Sequence, residues 1–328
     1  MQTLFPFRSK AIQVTALGFS LAAFTSCLSS FSYLVLSMQG SFPMSIAATS
    51  EVEPEKVCTV EDDEISEASG IALSRRQKDA VWLHNDSGDS ARLFLVGFDG
   101  KTRAIVTLNV ERPIDWEDMC SFEADGEKWL LIGDTGDNGR IRSRTERACE
   151  LLLIKEPEIK LRSGSPVSIK ADVVSRIEFQ FPEGPEDCES LAVDTQSKEV
   201  LLLTKSVPQK CQMFRLPLST RPGQRKLTAE PIGSLAVPFA TSMDVSADNQ
   251  SLVIVNMFSG ALIRRGPMET WSSACQKPIT VLTLPAQPQC EAVCFESTGA
   301  SVLVNSERTQ QPLWKIKLPE PEGVENKQ

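Results

Sequence analysis

The residues in this chain that could do chemistry are mostly acidic, and they are clustered. Carboxylates crowd into His84-Asn85-Asp86-Ser87-Gly88-Asp89, Asp115-Trp116-Glu117-Asp118, Gly133-Asp134-Thr135-Gly136-Asp137-Asn138 and Asp187-Cys188-Glu189. His84 is the single His, and the single Tyr, Tyr33, lies near the N-terminus. Imidazole and phenol chemistry therefore has few openings. Carboxylates gathered at one place repel one another, so they either take up protons or hold a cation. Oxygen ligands of this kind suit Ca²⁺, with Mg²⁺ as the alternative, rather than zinc. The candidate ligands are Glu67, Asp86, Glu117, Asp134, Asp137, Glu189, Asp244 and Glu291. His84, Glu117 and Asp118 are the candidate acid–base residues. Trp116 could stack a ligand, and Arg140 and Lys205 could clamp an anion. Asp86 and Ser87 beside His84 do not make a nucleophilic triad, because neighbours in sequence do not converge in space.

Something must bring these distant stretches together. Between them run short apolar segments such as VWLH (81–84), WLLIG (129–133), VLLLT (200–204), SLVIVN (251–256) and SVLVN (301–305), each ended by a turn residue or a charge. That pattern spells strands, and no long amphipathic helix interrupts it. A carboxylate followed by an apolar strand recurs at Glu67, Glu117, Glu189, Asp244 and Glu291, at intervals of 50, 72, 55 and 47 residues. Each interval holds four short strands, the unit of a propeller blade. The fold expected is all-β, a single β-propeller of five four-stranded blades. Six is the alternative if the long second unit hides another. The fifth unit has only three strands before the chain ends. The surplus strand near 57–60 supplies its fourth and closes the ring. In a blade, the connections into the first strand and the loops after the second share one face, so the acids are expected around one mouth of the channel.

Composition bounds the partners. There are 34 Lys and Arg against 43 Asp and Glu, and a net charge of −9. Residues 1–50 carry only Arg8 and Lys10, so the remainder is more acidic still. A nucleic-acid partner is excluded, since phosphate binding needs a basic footprint. The expected partner is a small anionic substrate or a protein ligand at the acidic face, and the expected state is a monomer. The basic start and the apolar run over 11–38 read as an export signal or a membrane anchor. Residues 1–50 are thus taken as leader and linker and 51–328 as the propeller, with a cleavage option at Ile46-Ala47-Ala48. The protein is expected to be exported, periplasmic or extracellular. Eight cysteines lie beyond the leader, an even number, which for an exported chain points to disulfides, with buried thiols as the alternative.

The segments Glu67-Ala68-Ser69-Gly70-Ile71-Ala72, Trp82-Leu83-His84-Asn85-Asp86-Ser87-Gly88, Asp115-Trp116-Glu117-Asp118 and Gly133-Asp134-Thr135-Gly136-Asp137-Asn138 together resemble a group of secreted bacterial β-propeller proteins with no established activity. More distantly the chain is similar to the β-propeller phytases and the gluconolactonase-like hydrolases. That likeness implies a calcium-dependent propeller, and architecture alone does not carry an activity. The chain lacks the Lys- and Tyr-rich phosphate surface of a phytase. Its fourth unit, Ser242-Met243-Asp244, also departs from the motif. Two functions are expected from these readings: a metal-dependent hydrolase of phosphoesters, esters or lactones, or a non-catalytic binding propeller.

Overall fold

The computed structural model describes residues 46–50, 53–86, 88–138, 141–145, 147–161, 164–206 and 211–320. Two strands precede the first blade, β1 (Ile46–Ser50) and β2 (Glu55–Thr59). Blade one is β3 (Ala68–Leu73), β4 (Ala80–Asn85), β5 (Arg92–Gly97) and β6 (Thr102–Leu108). Blade two is β7 (Trp116–Ala124), β8 (Glu127–Asp134), β9 (Cys149–Lys155) and β11 (Ser175–Gln180), with helix α1 (Ile141–Thr145) and strand β10 (Val167–Ala171) in its connections. Blade three is β12 (Cys188–Asp194), β13 (Glu199–Thr204), β14 (Cys211–Pro217) and β16 (Glu230–Leu235), with β15 (Gly223–Thr228) ahead of its last strand. Blade four is β17 (Ala240–Val245), β18 (Ser251–Asn256), β19 (Ser259–Arg264) and β20 (Ile279–Thr283), with helix α2 (Trp271–Ala274) before β20. Blade five is β21 (Cys290–Phe295), β22 (Ser301–Ser306), β23 (Pro312–Lys317) and, from the other end of the chain, β2. The ring of five blades is closed by an N-terminal strand, as the strand count requires.

The innermost strands lie side by side around the channel, β3 next to β7, then β12, β17, β21 and β3 again. They are buried along most of their length, because a blade packs on a neighbour through both faces, and only the far ends of β3 and β7 emerge. The core accordingly divides into five apolar clusters, one at each junction between blades. Fully burying one Leu or Val of such a cluster contributes roughly 1.5–3 kcal/mol. The hairpins between first and second strands turn through left-handed residues, and Asp125-Gly126, with φ of 53° and 76°, makes the two-residue turn that suits the strand twist.

The long second unit hides no sixth blade. Its surplus is β10, which leaves blade two and pairs in parallel with β6 on the outer edge of blade one. The same step recurs round the ring. β15 comes from blade three and covers β11 of blade two. Helix α2 comes from blade four and sits against β16 of blade three, where Ser272 Oγ donates to the Ile232 carbonyl at 2.6 Å. β1 pairs in parallel with β20 of blade four. The tight turn of blade one at Gly97–Lys101 reaches the segment just after β2, through Glu61 N–H on the Gly100 carbonyl at 2.9 Å.

One expectation changes. The disulfides are not formed: all eight cysteines from Cys58 onward are free thiols and all but Cys58 are buried, where burial pushes Cys149 and Cys275 up to about 12. These side chains serve as small apolar packing pieces. Sheet structure also begins at Ile46, inside the segment read as leader, so the cleavage option lies on β1. The apolar run over 11–38 is outside the described residues. Among the described residues no helix is long and apolar enough to cross a membrane.

Candidate metal centre

The site is built by a defect repeated five times. Each innermost strand pairs regularly with the next strand except for one extra residue near its start, where the register shifts. Such a β-bulge takes a residue out of the ladder and re-aims its side chain. The bulge residues are Ser69, Glu117, Glu189, Thr241 and Glu291. Two residues earlier stand Glu67, Asp115, Asp187, Phe239 and Gln289. The loop after the second strand begins with Asp86, Thr135, Lys205, Met257 and Glu307. Four blades lock these last two positions together, since the N–H of Asp86, Thr135, Lys205 and Glu307 donates to the carbonyl of Glu67, Asp115, Asp187 and Gln289 at 2.8–3.2 Å.

This register corrects the repeat read from sequence. Glu117, Glu189 and Glu291 are equivalent, but their counterparts in blades one and four are Ser69 and Thr241. Glu67 lies two residues too early and its side chain is exposed. Asp244 lies three residues deeper and accepts the N–H of Val245 at 2.9 Å and of Phe295 at 2.8 Å, so it ties blade four to blade five.

Oxygens of Asp86, Asp115 and Glu117 lie within 4.8 Å of one another, and so do oxygens of Glu117, Asp187 and Glu189. Glu117 belongs to both groups and is only 4% exposed. Its Oε2 is 3.4 Å from Ser69 Oγ, while its Oε1 is buried with no hydrogen-bond partner. Gly136 makes this possible: a Cβ there would stand 2.0 Å from that oxygen and 2.6 Å from Asp115 Oδ2. Lys205 Nζ approaches Glu189 at 2.5 Å and sets a cation beside these acids.

The electrostatics follow from crowding under burial. Burial, then Glu189 and the other nearby acids, pushes the Glu117 carboxyl well above its ordinary range. Burial and Asp86 push Asp115 up to about 7. Burial carries Glu189 to about 8 although Lys205 pulls it back. Burial lifts Asp187 and Glu291 as well. Glu307, half-buried, is pushed up to about 7 by burial and by Glu291 and Glu67. For Lys205, burial opposes its charge and Glu189 more than compensates, so it is held charged. Two carboxylates that face each other without donors are stabilised by a proton or a cation between them.

The other residues singled out in the sequence do different work. Asp118 accepts the N–H of Met119 and Leu191 at 2.9 Å, the N–H of Met243 at 3.0 Å and the hydroxyl of Ser242 at 2.9 Å. It is a staple across blades two, three and four, not an acid–base group. Asp134 caps the backbone N–H of Ile114 at 3.1 Å and Asp115 at 3.0 Å and is ion-paired with the buried Arg142, so it holds the ligand loop instead of ligating. Asp137 accepts the Arg142 N–H at 2.8 Å, and its own N–H donates to Asp187 Oδ1 at 2.7 Å. Glu291 faces the centre but joins neither group of three, and Gln289 Nε2 donates to it at 3.2 Å. His84 is 0% exposed and pairs through Nδ1 with the Asn85 carbonyl at 3.0 Å, while burial lowers its pKa to about 4. Its Nε2 points at Gly70, where even a methyl group would come within 2.2 Å. It is a sealed neutral ring, not a base. Trp116 is 1% exposed and packs edge-on against His84, so it cannot stack a ligand. Arg140 is outside the described residues.

Sequence reasoning left Asp115 and Asp187 out of the ligand set. The signal was present as Asp-x-Glu twice, at 115–117 and 187–189, where the spacing puts both side chains of each pair on the bulged mouth of the strand.

No family model and no curated protein matches this chain. Among solved structures it is similar to the PQQ-bound aldose sugar dehydrogenase of Streptomyces coelicolor, at 9% identity over 83% of this chain and 99% of that one, with a TM-score of 0.48. It is similar to a gluconolactonase of Xanthomonas campestris at 12% identity, over 85% and 99% of the two chains, with a TM-score of 0.43. It is also similar to the Pan2 WD40 domain of Neurospora crassa at 12% identity, over 83% and 100%, with a TM-score of 0.40. Likeness this distant carries no chemistry.

Proposed function

We propose that the acidic mouth of the channel holds a divalent cation, Ca²⁺ in preference to Mg²⁺, and that the protein is an exported, metal-dependent hydrolase of phosphoesters, esters or lactones. The observation that carries this reading is the buried, unpartnered Oε1 of Glu117 among Asp86, Asp115, Asp187 and Glu189. An isolated buried carboxylate oxygen is costly, and a cation removes that cost. Ligands drawn from three blades are spread widely enough for the larger, less demanding ion. Such a cation polarises the oxygen of a bound ester and lowers the pKa of a coordinated water. Glu307, poised near neutral pH and outside both ligand groups, is the proton acceptor in this scheme. Export enters the proposal from the leader sequence alone.

One observation favours a second reading, a non-catalytic propeller that binds its ligand at this mouth. The single imidazole is sealed beneath the site, so no histidine base is available. Thermal unfolding of the full chain in EDTA, followed by titration with Ca²⁺ and Mg²⁺, tests the shared premise. At a hundredfold excess over Kd, Ca²⁺ is expected to raise Tm by roughly 5–10 °C, and Glu117→Gln to abolish that rise. No response of the unsubstituted protein to either ion would sink the metal reading. Turnover of a phosphoester and a lactone by the loaded protein then separates hydrolase from binder.

A further inference from the structure

Blade four departs from blades two and three at the positions that build the metal centre. Where blades two and three place Asp115 and Asp187, it places Phe239. Where they place Glu117 and Glu189, it places Thr241. Its loop after the second strand begins Met257-Phe258, against Asp86 in blade one and Lys205 in blade three. Phe258 is 80% exposed and Phe239 is 38% exposed. These are the exposed aromatic rings among the described residues, and both project from loops at the metal-bearing mouth.

The two rings are held on a built support. Asn256 donates through Nδ2 to the Pro238 carbonyl at 3.0 Å and accepts through Oδ1 from the N–H of Phe258 and of Ser259 at 2.8 Å. One amide therefore ties the loop that carries Phe239 to the loop that carries Phe258. Phe239 has φ of 54°, a left-handed conformation that aromatic residues rarely adopt. Its N–H donates to the Ser206 carbonyl at 3.3 Å, which sets it beside Lys205. Backbone strain at the rim of a binding site is kept where the surroundings impose it.

We infer that Phe239 and Phe258 form an apolar subsite beside the metal centre, and that the substrate is an ester or phosphoester carrying an aryl or bulky alkyl group. This rests on the metal-dependent reading above and specifies its substrate class. The ester or phosphoester group of such a molecule faces the cation and Lys205 in blades one to three. Its apolar end lies over the two rings of blade four. Neither end fits the other half, because an apolar group would displace ions and water from the acids, and an anion would meet bare rings.

Phenylphosphonate and methylphosphonate test this, since both carry the same charged end on a carbon–phosphorus bond that is not an ester. Their binding to the calcium-loaded full chain is measured by titration calorimetry. Phenylphosphonate is expected to bind at least about 10-fold tighter, the scale of a filled apolar pocket. Phe239→Ala with Phe258→Ala is expected to remove the difference and leave methylphosphonate binding and the calcium-induced Tm rise unchanged. If the double variant fails to fold, Phe258→Ala alone, at a solvent-facing ring, is expected to lose part of the preference. Equal binding of the two ligands, no binding of either, or a preference that survives loss of the rings overturns the inference. A ring-dependent preference in a protein whose Tm ignores calcium leaves the subsite standing and removes the metal reading instead.

Discussion

Blades two and three and blade four share one backbone at the channel mouth and use it in opposite ways. In each, the innermost strand is bulged at the same register near its start. Blades two and three fill the mouth with Asp115, Glu117, Asp187 and Glu189, and blade four fills it with Phe239, Thr241 and Phe258. The scaffold thus fixes where a side chain points, and the sequence of each blade fixes what it presents. Chemical asymmetry on a pseudo-symmetric ring comes from substitutions at three positions per blade, without changing a strand.

The comparison breaks most completely if the staple between its two sides is removed. Asp118 of blade two accepts from Leu191 in blade three and from Ser242 and Met243 in blade four. Asp118→Ala leaves these donors buried without a partner, at about 1–3 kcal/mol for each group. The expected loss of stability is several kcal/mol, read by denaturant titration with and without calcium. A loss under about 1 kcal/mol would mean that the strands hold together without it.

The next largest effect is pH. Asp115 and Glu189 hold protons in the cation-free fold up to about 7 and 8, against 3.8 and 4.5 as ordinary values. The native state then binds more protons than the unfolded chain, so stability falls as pH rises. The contribution of these groups is whole below about pH 4 and is lost as pH climbs through 7 to 8. In EDTA, Tm is expected to decline across that window, and saturating calcium, which takes the place of the protons, is expected to flatten the decline. A cation-free Tm that increases from pH 5 to pH 8 would show that the acids are solvated and not crowded.

The smallest effect sharpens the contrast by erasing it. Thr241→Glu gives blade four the bulge residue of blades two, three and five. A new carboxylate beside Glu291 is expected to lower cation-free stability by about 1.4 kcal/mol, the equivalent of one pKa unit, and to enlarge the calcium-induced rise in Tm. A variant whose calcium response is unchanged would show that the bulge residue of blade four does not reach the cation held by blades one to three.

The five blades were legible because apolar strands ended by turn residues repeat at blade length. The strands that were not legible are β1, which lies in the stretch read as leader and linker, and β10 and β15. The side chains of β10 and β15 are half exposed and their partners lie in another blade, so neither periodicity nor neighbouring sequence marks them. At the site, Glu117, Glu189 and Glu291 stood out because they recur. Ser69 and Thr241 did not, since a repeat defined by its chemistry is lost where the chemistry changes. Asp134 and Asp244 were read as metal ligands and Asp118 as an acid–base group because a carboxylate in sequence looks the same whether it meets a ligand or a row of backbone donors. The number of N–H groups that converge on it decides its role, and that number belongs to the folded ring.

The way the ring closes has a consequence for how the protein is made. β2 pairs with β23 and β1 with β20, so the first described segments find their partners only near the far end of the chain. A ribosome releases residues 46–59 long before either partner exists, and they must wait, unpaired, until β20 and β23 have emerged. Loop-closure entropy makes such distant pairings slow. Closure is therefore the last step of assembly. Until it happens the edges of blades four and five stand open to any other strand, which makes the newly finished chain, more than the mature one, the form at risk of joining with its own copies.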